Sequence, residues 1–134
     1  KKIRKKYEII FIPDMYDSQS KDIKLIEKNN FKVLQIVSSS IVLRAALYNI
    51  SFINMAVACG PIYLSILQQK SKTMMFFNYK NYPKKYLEDA LTAFDWKIGE
   101  QRKNYGKNHF FIWDEDRYEI LVNNFNYFLN NIKK

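Results

Sequence analysis

Ser51 to Gln69 reads SFINMAVACGPIYLSILQQ, and how this stretch is parsed decides the fold. An apolar run from Phe52 to Ala58 meets Cys59-Gly60-Pro61 and passes into a second apolar run rich in helix formers. That order describes a buried strand, a tight turn, and a helix over 61–69 that opens at Gly60 or Pro61. Glycine lets a backbone turn sharply or approach a ligand, and proline at the first helical position gives up no needed hydrogen bond. A helix start leaves backbone N–H groups without intrahelical partners, so the turn is a candidate anion or diphosphate site. The same residues also describe an ordinary strand-to-helix turn.

Working outward, the flanking segments repeat the alternation. Toward the N-terminus, Tyr7–Ile12 (YEIIFI) and Phe31–Val37 (FKVLQIV) have the length and residue types of buried strands. Between them a helix is expected over Lys21–Lys28, capped by Asp17 or Ser18 and ended by Asn29-Asn30. After Ser38-Ser39-Ser40 the period becomes helical: Leu43, Ala46, Leu47 and Ile50 form one stripe, with Arg44 off it. An arginine there is a surface charge or, beside a phosphate, an anion ligand. Toward the C-terminus, Thr73–Phe77 (TMMFF) and Asn108–Trp113 (NHFFIW) are further strands. A helix is expected over 84–94, with Tyr86, Leu87, Ala90, Leu91 and Phe94 at helical spacing. A closing helix carries Ile120, Leu121, Phe125, Phe128, Leu129 and Ile132, capped by Asp114-Glu115-Asp116. Strands alternating with helices imply an α/β fold: a Rossmann-like, mostly parallel sheet with helices on both faces. In such a sheet the loop Asn78–Pro83 leaves the same edge as the Cys59 turn, where ligands bind.

A length of 134 residues fits one domain over 1–134, with no repeat or linker to divide it. The opening charge run leads straight into a strand, so the chain reads as a fragment of a longer two-domain protein. One cysteine, Cys59, excludes an internal disulfide, and no apolar run approaches the ~20 residues of a membrane span. A cytoplasmic location is expected. The formal charge is +9, with basic residues gathered at Lys1, Lys2, Arg4, Lys5 and Lys6, at Lys80, Lys84 and Lys85, at Arg102, Lys103 and Lys107, and at Lys133 and Lys134. They are solvated faces or a nucleic-acid contact; the lysine-rich balance and the lack of a known nucleic-acid motif favour the first.

The residues exclude several chemistries. One His and one Cys do not make a zinc cluster, and no metal or other cofactor is expected. His109, inside an apolar strand, reads as a packed histidine before a catalytic one, and Cys59 as a small turn residue before a nucleophile. Neither a Walker lysine after Gly60 nor G-x-G-x-x-G is present.

The segment RAALYNISFINMAVACGPIYLSILQQKSKTMMFF, with WKIGEQ and HFFIWDEDRYEILVNNF, resembles the C-terminal, donor-binding half of GT-B-type glycosyltransferases of bacterial surface-carbohydrate synthesis. The likeness covers about residues 31–134 and rests on the order of its motifs. It implies a nucleotide-sugar (donor) binding domain whose turn offers backbone amides near Cys59, Gly60, Ile62 and Tyr63 to the donor diphosphate. Arg44 or a loop lysine would neutralise the diphosphate, and Asn54 and Asn78 would add polar contacts. The nucleotide sugar is then substrate, and the acceptor domain with its base would be a missing N-terminal partner. Here Val57-Ala58-Cys59 stands where relatives often place an acidic or polar residue before the glycine. No counterpart of their ribose-gripping glutamate is found; Glu88 matches poorly. A non-catalytic Rossmann-like scaffold is the other reading, and a basic nucleic-acid-binding protein the third.

Overall fold

The computed structural model describes residues 6–14, 20–93, 95–101, 107–115 and 117–132. Lys1, Lys2, Arg4, Lys5, Asp17, Ser18, Phe94, Arg102, Lys103, Asp116, Lys133 and Lys134, all named above, lie outside them. The fold is mixed α/β, with five short strands in two parallel sheets among the described residues. The chain divides into two compact units, Lys1–Leu47 and Tyr48–Lys134.

In the first unit, β1 (Ile10–Phe11) and β2 (Lys32–Val33) pair in parallel around α1 (Lys21–Lys28). Both strands are shorter than their apolar runs, and in the second a 3₁₀ turn takes up Gln35–Val37. The cap of α1 is Ser20, whose Oγ accepts from the Ile23 N–H at 3.3 Å. Asn30, in the left-handed region at φ 58°, ends the helix where Asn29-Asn30 was expected to.

Helix α2 (Ile41–Ile50) crosses the division between the units, and its packing reverses the sequence expectation. Leu43, Ala46 and Ile50 are exposed and Leu47 is half-buried, whereas Arg44 and Tyr48 are buried. The reason is local hydrogen bonding. Arg44 Nε donates to Val37 O and Nη2 to Pro13 O, each at 3.4 Å, so backbone carbonyls hold the guanidinium inward. The apolar stripe is thereby turned outward.

The second unit is built on β3 (Asn54–Val57), β4 (Thr73–Phe76) and β5 (His109–Ile112), parallel and in that order. Register pairs Asn54 with Thr73 and Thr73 with His109. Met74 and Met75 at the centre are fully buried, as a continuous apolar strand covered on both faces requires. One face carries Thr73, Met75 and Phe77 beside His109, Phe111 and Trp113. It packs on Trp96, whose ring lies 4.7 Å from Phe77, 5.8 Å from Phe111 and 6.0 Å from Trp113. Ser65 closes the other end of that face through a 2.8 Å hydroxyl contact with Thr73. Phe110, on the opposite face, meets Tyr127 and Phe128 of α5 (Tyr118–Asn131) at 5.4 and 5.7 Å. The stripe that marked this closing helix places Phe125 and Phe128 in the core, as expected. Its N-cap is Arg117, not the acidic run; Asp114 instead accepts from the Glu115 N–H.

The outer edge of β5 is occupied at Phe111 by a side chain. The Gln101 amide nitrogen donates to Phe111 O, and its oxygen accepts from the Phe111 N–H at 3.0 Å, which imitates a neighbouring strand. Helix α4 (Lys84–Ala93) connects β4 to this region. Among the described residues no helix is long and apolar enough to cross a membrane.

Candidate functional site

The carboxyl edge of the three-stranded sheet gathers three loops. Val57 leads through Ala58 into Cys59-Gly60-Pro61, Phe76 into Phe77-Asn78, and Ile112 into Trp113-Asp114-Glu115. The Ala58 N–H donates to Phe76 O at 2.8 Å and the Phe77 N–H to Ile112 O at 2.8 Å, so the three exits stand side by side. Parallel pairing therefore places Cys59, Gly60, Ile62, Tyr63 and Asn78 on one edge.

The turn itself is tighter than a free helix start. Gly60–Ile62 is a 3₁₀ turn leading into a single turn of helix, α3 (Tyr63–Ile66), so the helix expected over 61–69 is cut short. Within it the Ile62 N–H donates to Cys59 O at 3.3 Å and the Tyr63 N–H to Gly60 O and Pro61 O. Those two amides are thus committed inside the turn. The Gly60 N–H makes no hydrogen bond among the described residues, and a Cβ built on Gly60 would meet nothing within 4 Å. Its φ is not positive, so neither backbone conformation nor crowding demands glycine here. Cys59 is exposed, Ile62 is buried in the core, and Tyr63 stacks on Trp96 at 6.3 Å and 29°.

Asn54 falls elsewhere on the sheet, and Arg44 is part of the other unit. Asn54 begins β3 at the opposite, amino edge, where its amide donates to Tyr48 O at 2.9 Å and to Ser71 Oγ at 2.8 Å. Four strand residues at ~3.3 Å each separate it from the turn. Arg44 belongs to the first unit, held there by Val37 and Pro13.

The edge carries charges that the sequence reading did not assemble. Lys80 Nζ lies 3.5 Å from Asp114 and 3.9 Å from Glu115, and Arg117 Nε lies 2.9 Å from Glu115. The Glu115 N–H holds the Asp114 carboxyl below its ordinary pKa, with the Lys80 and Arg117 charges adding to the effect against partial desolvation. Phe77 stacks on Trp113 at 4.6 Å, and the Trp113 Nε1–H donates to Glu100 O at 2.8 Å. Lys80 and Asp114 each follow shortly after a strand. The rule that ligands gather at strand carboxyl ends was the signal that could have paired them.

No protein-family model, curated protein or solved structure matches the chain. Among the described residues no group of three or more His, Cys, Asp or Glu is placed to hold a metal.

His109 stands at the amino edge of β5, far from these loops. Its Nδ1 is buried without a hydrogen-bond partner among the described residues, and burial lowers its pKa. A depressed folded pKa means the neutral imidazole is favoured by folding. That stability is fully present above the unfolded value near 6.5 and is lost as pH falls toward the folded one. Thermal melts should therefore move down between pH 7.5 and pH 5.5, and His109→Leu should flatten that slope. An equal slope in the variant would assign it to other groups.

Proposed function

We propose that the chain is the nucleotide-sugar-binding domain of a glycosyltransferase, a Rossmann-like half of a GT-B fold, with the donor diphosphate against the Gly60 turn. The observation that carries this reading is the open Gly60 position at the carboxyl edge of a parallel β3–α3–β4 unit, with a backbone N–H that no described group takes up. A diphosphate leaving group gains charge as the sugar departs, and a preorganised donor at that spot stabilises it. The contact set narrows to the Gly60 N–H and the Lys80 ammonium, which a ligand would draw from Asp114 and Glu115. Tyr63 and Trp113 offer half-exposed ring surface to a sugar or base. The acceptor site and catalytic base belong, on this reading, to a partner domain.

Amide NMR spectra during titration with a nucleoside diphosphate and a nucleotide sugar test it. Millimolar ligand should shift Gly60 and the residues around Lys80; unchanged spectra reject the reading. Gly60→Val should leave folding stability within ~0.5 kcal/mol, as an open surface site does, and weaken binding at least tenfold. The commitment of the Ile62 and Tyr63 amides, with Arg44 engaged by the Val37 and Pro13 carbonyls and Asn54 by the Tyr48 carbonyl and Ser71 hydroxyl, favours a second reading: a non-catalytic scaffold of the same fold. For that scaffold the titration stays silent and Gly60→Val changes nothing.

A further inference from the structure

We infer, resting on the donor reading above, that Asp114 and Glu115 regulate the diphosphate site by holding Lys80 in reserve. The donor takes the ammonium from them on binding, and they reclaim it as the nucleoside diphosphate leaves.

The pairing is loose where a positioning contact would be tight. Lys80 Nζ stands 3.5 Å from Asp114 Oδ1 and 3.9 Å from Glu115 Oε1, whereas charge-assisted N–H···O bonds close to about 2.7–2.9 Å. Neither contact fixes the direction of an ammonium N–H, so charge alone holds Lys80 there. The carboxylates themselves are anchored. Glu115 Oε2 meets Arg117 Nε at 2.9 Å. Asp114 Oδ1 accepts from the Glu115 N–H at 2.8 Å, a bond that also keeps the Asp114 carboxyl ionised. The acids are the fixed members of the group, and Lys80, a long side chain about half exposed, is the mobile one.

The charges cancel. Lys80 and Arg117 face Asp114 and Glu115, so these four side chains carry no net charge although the whole chain carries +9. A diphosphate arriving at this edge meets a Lys80 ammonium that is already neutralised. Its oxygens carry more charge than a carboxylate and close on an ammonium at full hydrogen-bond distance, so the exchange favours the ligand. Exposed pairs are individually weak, which makes the hold a bias and not a lock. After sugar transfer the same acids compete for Lys80 and hasten departure of the nucleoside diphosphate, and product release limits many enzymes.

Amide NMR titration with inorganic diphosphate at constant ionic strength tests the exchange independently of base and sugar. Joint replacement of Asp114→Asn and Glu115→Gln keeps the side-chain shapes and removes both charges. Binding read at Gly60 and Lys80 should tighten about three- to tenfold. Glu88→Gln removes a carboxylate that pairs with Lys84 on α4, and should alter binding less than about 1.5-fold. Equal or weaker binding by the folded double variant overturns the exchange, and so does equal tightening by Glu88→Gln. Should the double variant fail to fold, the unaltered chain decides. Diphosphate should then shift the side-chain carboxyl ¹³C signals of Asp114 and Glu115, and unmoved signals refute the exchange. Where a nucleotide sugar shifts Gly60 but diphosphate does not bind, or binds the double variant no tighter, the donor reading stands and the exchange alone is rejected. Silence at Gly60 toward both ligands rejects the two together.

Discussion

Replacing Trp96 by alanine is expected to cost about 3–5 kcal/mol of folding stability, as large-to-small changes of buried aromatics do. Trp96 is 8% exposed and follows α4, so it acts as the lid over one face of the three-stranded sheet. Its ring contacts Tyr63, Phe77, Phe111 and Trp113, drawn from the turn after β3, the exit of β4, and β5 with its exit. Removing it empties the meeting point of all three, and edge-to-face aromatic pairs are lost along with buried area. Urea denaturation followed by circular dichroism gives the loss directly. Trp96→Phe should recover roughly half of it. A loss below about 1 kcal/mol for alanine would mean that the ring cluster does not hold this face closed. Because Tyr63 leans on Trp96, the alanine variant should also loosen the Gly60 turn, seen as faster amide exchange at Ile62 and Tyr63.

The second large effect concerns Arg44. Arg44→Ala is expected to cost about 2–4 kcal/mol, combining charge-assisted hydrogen bonds to Val37 O and Pro13 O with the cavity left by the stem. Arg44→Met keeps much of the stem volume and should cost about half as much. A lysine lacks the planar fork that serves two carbonyls at once, so Arg44→Lys should also destabilise. An anion-binding arginine would behave differently: lysine would preserve folding and only weaken the ligand. Amide-exchange protection across α2 in the three variants separates the two roles.

The segments legible in the sequence were those whose own backbone pattern decides them. Of Thr73–Phe77, residues Thr73–Phe76 form β4, with its methionines the fully buried centre; Lys21–Lys28 is α1 to the residue; the stripe of Phe125 and Phe128 faces the core. What could not be read depended on tertiary hydrogen bonds. Nothing in IVLRAALYNI announces that the helix would bury its arginine and expose Leu43 and Ile50, because the deciding carbonyls, of Pro13 and Val37, come from elsewhere in the chain. Asn54 looked available for a ligand, but the Tyr48 carbonyl and Ser71 hydroxyl claim it. Of the candidate site, the turn and the Asn78 loop were placed on one edge by strand alternation alone. The loss of the Ile62 and Tyr63 amides to a 3₁₀ turn was not visible, since apolar periodicity does not distinguish one helical turn from three.

Gln101 bears on how far assembly can go. A sheet with two bare edges is a monomer for linear polymerisation, each copy offering a site fore and aft, and such chains lengthen into fibres. With the Phe111 N–H and C=O taken by Gln101, a strand from another molecule meets an interrupted ladder along β5. One glutamine side chain thus acts as a stopper on that edge, and Gln101→Ala is expected to make the chain more prone to strand-to-strand aggregation, read as light scattering that rises with concentration.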